Sequence, residues 1–198
     1  MGAFESSASS LVREALTFAA RAHDGRLRKY VGRPYVSHPI AVARLVTRFE
    51  HDDSMIAAAL LHDVVEDCGV PAAEIGLRFG ADVGALVSDL TDVSRPEDGN
   101  RARRKAIDRA HTAAASPRAK TIKALDLVHN SYSIVRFDPQ FARVYLDEKA
   151  QILEVLADAS APAAVELARR VLRRGMATLA GQGRHERHFR RSSEQPHG

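Results

Sequence analysis

The chain has little cysteine, no tryptophan and no long apolar run. Its one cysteine, Cys68, excludes an internal disulfide and a zinc cluster built on thiolates. No apolar stretch approaches the roughly 20 residues that a membrane-spanning helix needs. Residues 1–10 also lack the charged-then-apolar pattern of a secretory signal. These absences predict a cytoplasmic protein that has no membrane partner.

The composition is that of an ordinary globular domain. The 198 residues suffice for one domain with a substantial core and are few for two. We predict this domain over residues 1–180, followed by a basic, flexible tail over residues 181–198. Much of the +4 net charge lies in the last thirty residues, so the folded part is close to balanced. A nucleic-acid partner is therefore not expected for the folded part, although the tail leaves an arm for a polyanion open as an alternative.

Helical periodicity dominates the chain, and period-two alternation is nowhere sustained. A run of serines precedes the first predicted helix, which ends near Gly25. The later predicted helices cover about 40–49, 54–67, a short segment opened by Pro71, 82–93, 100–114, 117–135, 139–157 and 162–179. The pattern predicts an all-α, single-domain bundle of about eight to ten helices.

The segment Leu60–Asp67 places four ionisable residues in an apolar run. In one continuous helix, His62 and Glu66 share a line, and Asp63 and Asp67 share the neighbouring line. An imidazole and three carboxyls beside a buried helix are costly unless their charge is compensated, and a divalent metal does this. The alternative is the polar edge of an amphipathic helix, but the segment holds no lysine or arginine. The pattern favours a metal-dependent enzyme.

Further candidate ligands lie on two other segments. His38 stands where an irregular segment meets a helix and is followed by a proline. Asp126 has apolar neighbours on both sides, and Asn130 and Ser133 continue its stripe at i+4 and i+7. An ordinary loop histidine and a solvent-facing polar stripe are the alternatives. The three segments together predict a site built on separate helices.

Two other His-Asp pairs have ordinary explanations. His23-Asp24 precedes a glycine at a helix end, where a solvated histidine is expected. His51-Asp52 lies in a polar connection and helps to start the third helix, for which Ser54 is the predicted N-cap. Neither pair is predicted to carry chemistry.

Four motifs together resemble a known family. They are Arg28-Lys29, Pro34–Pro39, Leu60–Asp67 and Asp126–Asn130. Their order and spacing are similar to the (p)ppGpp hydrolase domain of RelA/SpoT enzymes, which are HD-domain metal-dependent phosphohydrolases. The resemblance covers roughly residues 8–158. A stand-alone small alarmone hydrolase of the metazoan MESH1 type is the better match, because a synthetase domain does not fit in the remainder.

The resemblance implies an HD-domain helical fold and one Mn²⁺ ion. The implied metal ligands are His38, His62, Asp63 and Asp126. Such a mixed nitrogen and oxygen set suits a borderline or hard divalent ion, so the ligand types alone leave Fe, Zn, Co and Ni open. Glu66 and Asp67 are the expected catalytic residues, because Glu66 lies one turn beyond His62 and can orient or deprotonate a water.

Substrate contacts are expected from cations and polar groups near this site. The candidates are Arg28, Lys29, Asn130 and Ser133, with the basic stretch 101–105 as a weaker set. The family usually has a basic residue directly after the ligand aspartate, where this chain has Leu127. This departure puts the substrate in question more than the metal site.

The implied activity is removal of the 3′-pyrophosphate from (p)ppGpp, the alarmone of the stringent response, giving GDP or GTP and pyrophosphate. One alternative is an HD-domain phosphatase for another nucleotide, such as NADPH or a nucleoside monophosphate. Another is a non-catalytic module that binds a nucleotide or nucleic acid through the basic tail. Apolar helix faces near the C-terminus either form a homodimer contact or complete the core, and the sequence leaves both open.

Overall fold

The computed structural model describes residues 8–193, with side chains described for residues 8–182. Its α-helices are α1 Ser10–Ala22, α2 Ser37–Val46, α3 Asp53–Leu61, α4 Val64–Cys68, α5 Ala72–Phe79, α6 Ala81–Leu90, α7 Arg101–Ala114, α8 Pro117–Phe137, α9 Pro139–Glu154 and α10 Pro162–Ser193. A 3-10 turn covers Pro96–Asp98, and one isolated β-bridge joins Leu27 to Pro34. The all-α prediction is confirmed. Across the described residues, no helix combines the length and apolar character needed to cross a membrane.

Short polar side chains start several of these helices. Each accepts a backbone N–H of the first turn, as expected for an N-cap. These caps are Ser9 for α1, Asp52 for α3, Asn100 for α7 and Ser116 for α8. The prediction that the third helix is capped by Ser54 is wrong, because the Asp52 carboxylate accepts the Met55 N–H at 2.9 Å.

The predicted single helix over residues 54–67 is also wrong, since the structure has two helices that meet at His62-Asp63. The His62 Nδ1–H donates to the Ala59 carbonyl at 2.8 Å. In a continuous helix this carbonyl would accept the Asp63 N–H. A side chain that inserts into the backbone ladder in this way bends or ends the helix.

Helix α3 lies at the centre of the first of two apolar cores. All residues from Met55 to Leu61 are buried, which is the pattern of a helix enclosed on every side. It packs against α1, α2, α6 and α8. The C-terminal end of α3 therefore delivers His62 to a buried position.

The long helix α8 joins both cores. Ile122 and Leu125 belong to the first core, whereas Ala124 and Leu127 belong to a second core formed with α9 and α10. Asp126 lies on the stripe between these two apolar faces and is 9% exposed. The two packing faces of α8 thus fix the direction of the candidate ligand.

Helix α10 completes the second core through buried apolar residues. These are Val165, Ala168, Leu172 and Leu179. This face is therefore used within the chain, and a homodimer stays a prediction. The helix continues past the predicted end to Ser193. Residues 194–198 of the expected tail lie outside the described residues, so its flexibility stays a prediction.

Candidate metal centre and active site

Three buried side chains from three helices converge on one point. His38 comes from α2, His62 from the end of α3 and Asp126 from α8. Each offers one ligand atom, and these atoms all lie within 4.8 Å of one another. The His38 and His62 Nε2 atoms are 3.3 Å apart, and the His38 Nε2 is 3.1 Å from the Asp126 Oδ1. This is the spacing of donors that surround one small cation.

Hydrogen bonds behind both histidines point their Nε2 atoms inward. The His62 Nδ1–H is held by the Ala59 carbonyl. The Nδ1 atoms of His38 and His129 are 2.8 Å apart, so one of them donates. Burial, reinforced by His38 and Arg28, lowers the pKa of His129 to about 4 and keeps its ring neutral. We infer that His129 accepts the His38 Nδ1–H, which leaves the His38 Nε2 lone pair free for a metal.

Asp63 lies at the edge of this cluster. Its Oδ1 is 3.2 Å from the His62 Nε2, and its Oδ2 is 3.4 Å from the His38 Nε2. The Tyr35 hydroxyl donates to the Asp63 Oδ2 at 2.9 Å. Burial and the Asp63 carboxylate raise the pKa of Tyr35, so the hydroxyl remains a donor. Asp63 is thus held within reach of both imidazoles.

The cluster carries opposing charges. Burial alone would raise the pKa of Asp126, but hydrogen bonds and charge from His38 and His62 hold it well below its usual range. Burial would likewise lower the pKa of His62, whereas Asp63 and Asp126 outweigh it and raise that pKa to about 9. A proton on His62 and a divalent cation compensate the same carboxylates, so the two compete for this site.

Glu66 and Asp67 follow on the short helix α4. Glu66 is exposed, and its carboxylate accepts the backbone N–H of Asp92. Desolvation of this carboxylate, together with the Asp92 charge, raises the pKa of Glu66 to about 6. Asp67 lies on the Tyr35 side and contributes to the raised pKa of that tyrosine. The two acidic residues therefore flank the cluster on different sides.

A polar chain connects the metal cluster to a cation. The Asn130 Nδ2 donates to the Asp126 Oδ1 at 2.7 Å, and the Arg28 guanidinium donates to the Asn130 Oδ1 at 2.9 Å. Ser133, one turn further along α8, donates to the Asn130 carbonyl at 3.1 Å. Lys29 differs from Arg28, because its side chain is 76% exposed and its ammonium lies 4.0 Å from Asp138. The fold thus brings Arg28, but not Lys29, into contact with the predicted polar stripe.

The comparisons with known proteins agree with this arrangement. A family model described as "HD domain" matches residues 15–174. The chain belongs to the HD-domain family. Among relatives, it is 36% identical over 138 residues to the guanosine-3′,5′-bis(diphosphate) 3′-pyrophosphohydrolase MESH1 of Xenopus tropicalis, covering 68% of this chain and 75% of that protein.

A longer relative and a solved structure extend this result. The chain is 34% identical over 149 residues to a probable GTP pyrophosphokinase of Mycobacterium leprae. The aligned region covers 75% of this chain but only 19% of that protein. A solved structure, described as a metazoan orthologue of SpoT that hydrolyses ppGpp and plays a role in starvation responses, superposes with a TM-score of 0.74. It is 28% identical and covers 84% of this chain and 96% of that one. The helical fold is therefore that of this HD-domain group.

Three lysines lie near Asp92 in this HD domain; Lys105 belongs to the weaker predicted set, whereas Lys123 and Lys149 were not predicted as site residues. The Lys105 ammonium is 2.7 Å from the Asp92 Oδ2, and the Lys123 ammonium is 3.7 Å from the Asp92 Oδ1. Lys149, from α9, lies over the Tyr145 ring at 5.3 Å. Burial and the charges of Lys123 and Lys105 lower the pKa of Lys149, despite the opposing charges of Asp126 and Asp92. The ammonium groups of three helices thus converge beside the metal cluster.

Three further residues that the sequence singled out have different surroundings in the structure. Arg101, from the weaker basic set, forms a bidentate pair with Glu148 and has a structural explanation. Leu127 is fully buried in the second core, which α8 forms with α9 and α10, so an apolar side chain takes the position where the family usually has a cation. Tyr145 is buried, and its hydroxyl has no hydrogen-bond partner among the described residues. Lys149 brings a cation from α9 close to Asp126.

The prediction of a solvated His23 is wrong. The residue is 2% exposed, and its ring stacks on Tyr35 with the centroids 4.7 Å apart. Its Nδ1 lies 3.1 Å from the Cys68 Sγ. Burial lowers the pKa of His23 against the opposing charge of Asp63. His23 therefore supports the tyrosine that holds Asp63, a role that its place at the end of α1 did not indicate.

Proposed function

We propose that this HD domain is a divalent-metal-dependent hydrolase that removes the 3′-pyrophosphate of (p)ppGpp. Water attacks the phosphorus next to the ribose O3′, the O3′–P bond breaks, and GDP or GTP leaves with pyrophosphate. The observation that carries the proposal is the buried convergence of His38, His62 and Asp126 on one point, with the Asp63 carboxylate within reach of both imidazoles. The relatives named for this activity support the substrate.

The donor set fits a divalent metal. The two Nε2 atoms face inward because both Nδ1 atoms have partners, and the Asp126 carboxylate is ionised. We propose Asp63 as the fourth ligand, because its carboxylate already reaches both imidazoles. Bound metal would acidify a water molecule and polarise the phosphoryl group. We propose Mn²⁺ as this ion because the family resemblance implies it; the set of nitrogen and oxygen ligands is compatible with Mn²⁺ but does not select it over Fe, Zn, Co or Ni.

Glu66 is the proposed general base. A base works best when its pKa is near the operating pH, and a value of about 6 meets this condition. Its carboxylate is positioned by the backbone N–H of Asp92, which begins the irregular segment after α6. Asp67 is proposed to assist through Tyr35, which holds Asp63 by a hydrogen bond. One acidic residue thus takes the proton, and the other supports the ligand shell.

Cations on both sides of the cluster serve the substrate. Arg28, which is hydrogen-bonded to Asn130, is proposed to hold the nucleotide. Arg28 and Ser133 both line one groove beside the cluster. Lys29 is proposed as a contact at the rim. Lys123 and Lys149 are proposed to stabilise the negative charge of the pyrophosphoryl group while water attacks it. The activity is proposed to take place in the cytoplasm.

A second nucleotide substrate is favoured by one observation. Leu127 is buried where the family usually has a cation, so the phosphate environment differs from the usual pattern. A panel of ppGpp, NADPH and nucleoside monophosphates at equal concentration, assayed with Mn²⁺, separates the candidates. We expect ppGpp to have the highest kcat/KM and His62→Ala to abolish its turnover. Faster turnover of another member would reject the alarmone as substrate, and full activity of His62→Ala would reject the site.

A further inference from the structure

A basic groove begins beside the metal cluster and extends away from it. Its volume is about 1090 Å³, and five of its lining residues are arginines. No aspartate or glutamate lines it. The five arginines come from three parts of the fold. They are Arg28 and Arg33 in the connection before α2, Arg44 and Arg48 at or just after the end of α2, and Arg136 at the end of α8. The groove is therefore a strongly cationic surface of defined shape.

Four of these arginines have no acidic partner in the part of the chain that the structure describes. Arg33, Arg44, Arg48 and Arg136 are exposed, and none forms a salt bridge there. Arg118, by contrast, pairs with two aspartates at the surface. Like charges that share a groove repel one another, and a bound polyanion removes this repulsion. The arginine cluster thus fits a ligand with several phosphates.

The groove is continuous with the catalytic cluster. His129 lines it and contacts His38 at 2.8 Å, and Arg28 lines it and contacts Asn130. Tyr132 and Phe137 add aromatic surface, 70% and 47% exposed, to the same wall. A nucleotide whose 3′-pyrophosphate reaches the metal cluster has one other charged arm, at its 5′ carbon. This arm is the phosphate group that the groove is placed to receive.

We propose that the arginine groove binds the 5′-phosphate arm of the substrate and makes the enzyme select nucleotides by the number of their 5′ phosphates. The inference rests on the proposed function, since that function places the 3′ group at the metal. Arginine recognises phosphate through several N–H donors, and exposed pairs each contribute modestly. We expect kcat/KM to rise about two- to fivefold with each added 5′ phosphate.

The test compares pGpp, ppGpp and pppGpp as substrates of the full chain with Mn²⁺. In the wild type we expect kcat/KM to increase in this order through KM, because the 5′ arm is remote from the breaking bond. Arg44→Ala together with Arg48→Ala should flatten the series, with a larger loss of kcat/KM for pppGpp than for ppGpp and the smallest loss for pGpp. Arg174→Ala, an exposed arginine that lines no part of the groove, is the matched control and should keep the wild-type series.

Two results would overturn the inference while leaving the proposed function intact. One is equal kcat/KM for all three substrates in the wild type. The other is an equal loss for all three in the double variant. If no substrate is turned over, the proposed function fails, and binding of GMP, GDP and GTP still tests the groove. Tighter binding with each added phosphate would then support the groove as the site of the 5′-phosphate arm. Equal binding of the three nucleotides, or preferred binding of single-stranded RNA, would reject that assignment.

Discussion

The Nδ1 atoms of His38 and His129 lie 2.8 Å apart at the back of the metal cluster. His129 is one turn beyond Asp126 on α8, so a single helix supplies a candidate ligand and the support of another ligand. The lowered pKa of His129, about 4, keeps it neutral and able to accept a hydrogen bond. The orientation of His38 therefore depends on a residue that is outside the ligand set.

Replacing His129 with phenylalanine should weaken metal binding. The change keeps the ring but removes the acceptor for the His38 Nδ1–H, and losing such a support typically costs about 10–100-fold in metal affinity. Isothermal titration with Mn²⁺ measures the effect, and excess Mn²⁺ should restore part of the turnover. His51→Phe, at an exposed histidine away from the cluster, is the control. Unchanged affinity in His129→Phe would show that His38 does not need this partner.

The pH dependence of turnover should report Glu66. Its raised pKa of about 6 means that the carboxylate is protonated at low pH and becomes a base as the pH rises. We expect kcat/KM to increase through about pH 6 and then level off. Glu66→Gln should remove this step and lower kcat by about 10²–10⁴-fold. Glu97→Gln, at an exposed glutamate, is the control and should keep the pH step and the wild-type kcat. A step of the same size and position in Glu66→Gln would assign the base to another group.

Lys149 should stabilise the transition state of pyrophosphoryl transfer to water. Lys149→Met keeps most of the buried stem and removes the ammonium that lies near Lys123 and Asp126. We expect kcat to fall about tenfold, since a cation beside the pyrophosphoryl group stabilises the negative charge of the transition state. Steady-state kinetics with ppGpp measure this loss, and thermal unfolding checks the fold. A variant that changes KM alone would place Lys149 in ground-state binding instead.

Removing residues 183–198 should leave catalysis intact. Among the described side chains of α10, Leu179 is the last buried apolar one, so this deletion takes no described core residue. The truncated enzyme should keep its kcat/KM for ppGpp within about twofold, because surface changes away from the core have small effects. If the full chain shows no turnover, and the deletion abolishes binding of a nucleotide or nucleic acid, the non-catalytic binding module is favoured instead.

The sequence predicts which residues converge in the candidate cluster better than it predicts the residues around them. His38, His62 and Asp126 could be found because each is a polar residue in an apolar or proline-fixed context, which is a local signal. The end of α3 at His62 was missed, since the side-chain bond to Ala59 that interrupts the helix leaves no periodic pattern. Lys149 was also missed, because only tertiary packing of α9 brings it near the cluster.

The arginine groove illustrates the same limit. Arg33, Arg44 and Arg136 are ordinary surface residues in their own segments. They line one groove only because folding brings the connection before α2 next to the end of α8. Leu127 was recognised as a departure from the family pattern, but its burial in the second core could not be seen from neighbouring residues. Local context predicts ligands, whereas convergence of distant cations requires the fold.

The most direct measurement is an assay of the purified protein with ppGpp and Mn²⁺, with and without EDTA, following GDP and pyrophosphate by ion-exchange chromatography. We expect release of both products that EDTA stops and that Asp126→Ala lacks, while the exposed Asp147→Ala retains it. Thermal unfolding should show that Mn²⁺ stabilises the wild type but not Asp126→Ala. Pyrophosphate release that continues in EDTA, or in Asp126→Ala, would contradict a metal-dependent hydrolase built on this cluster.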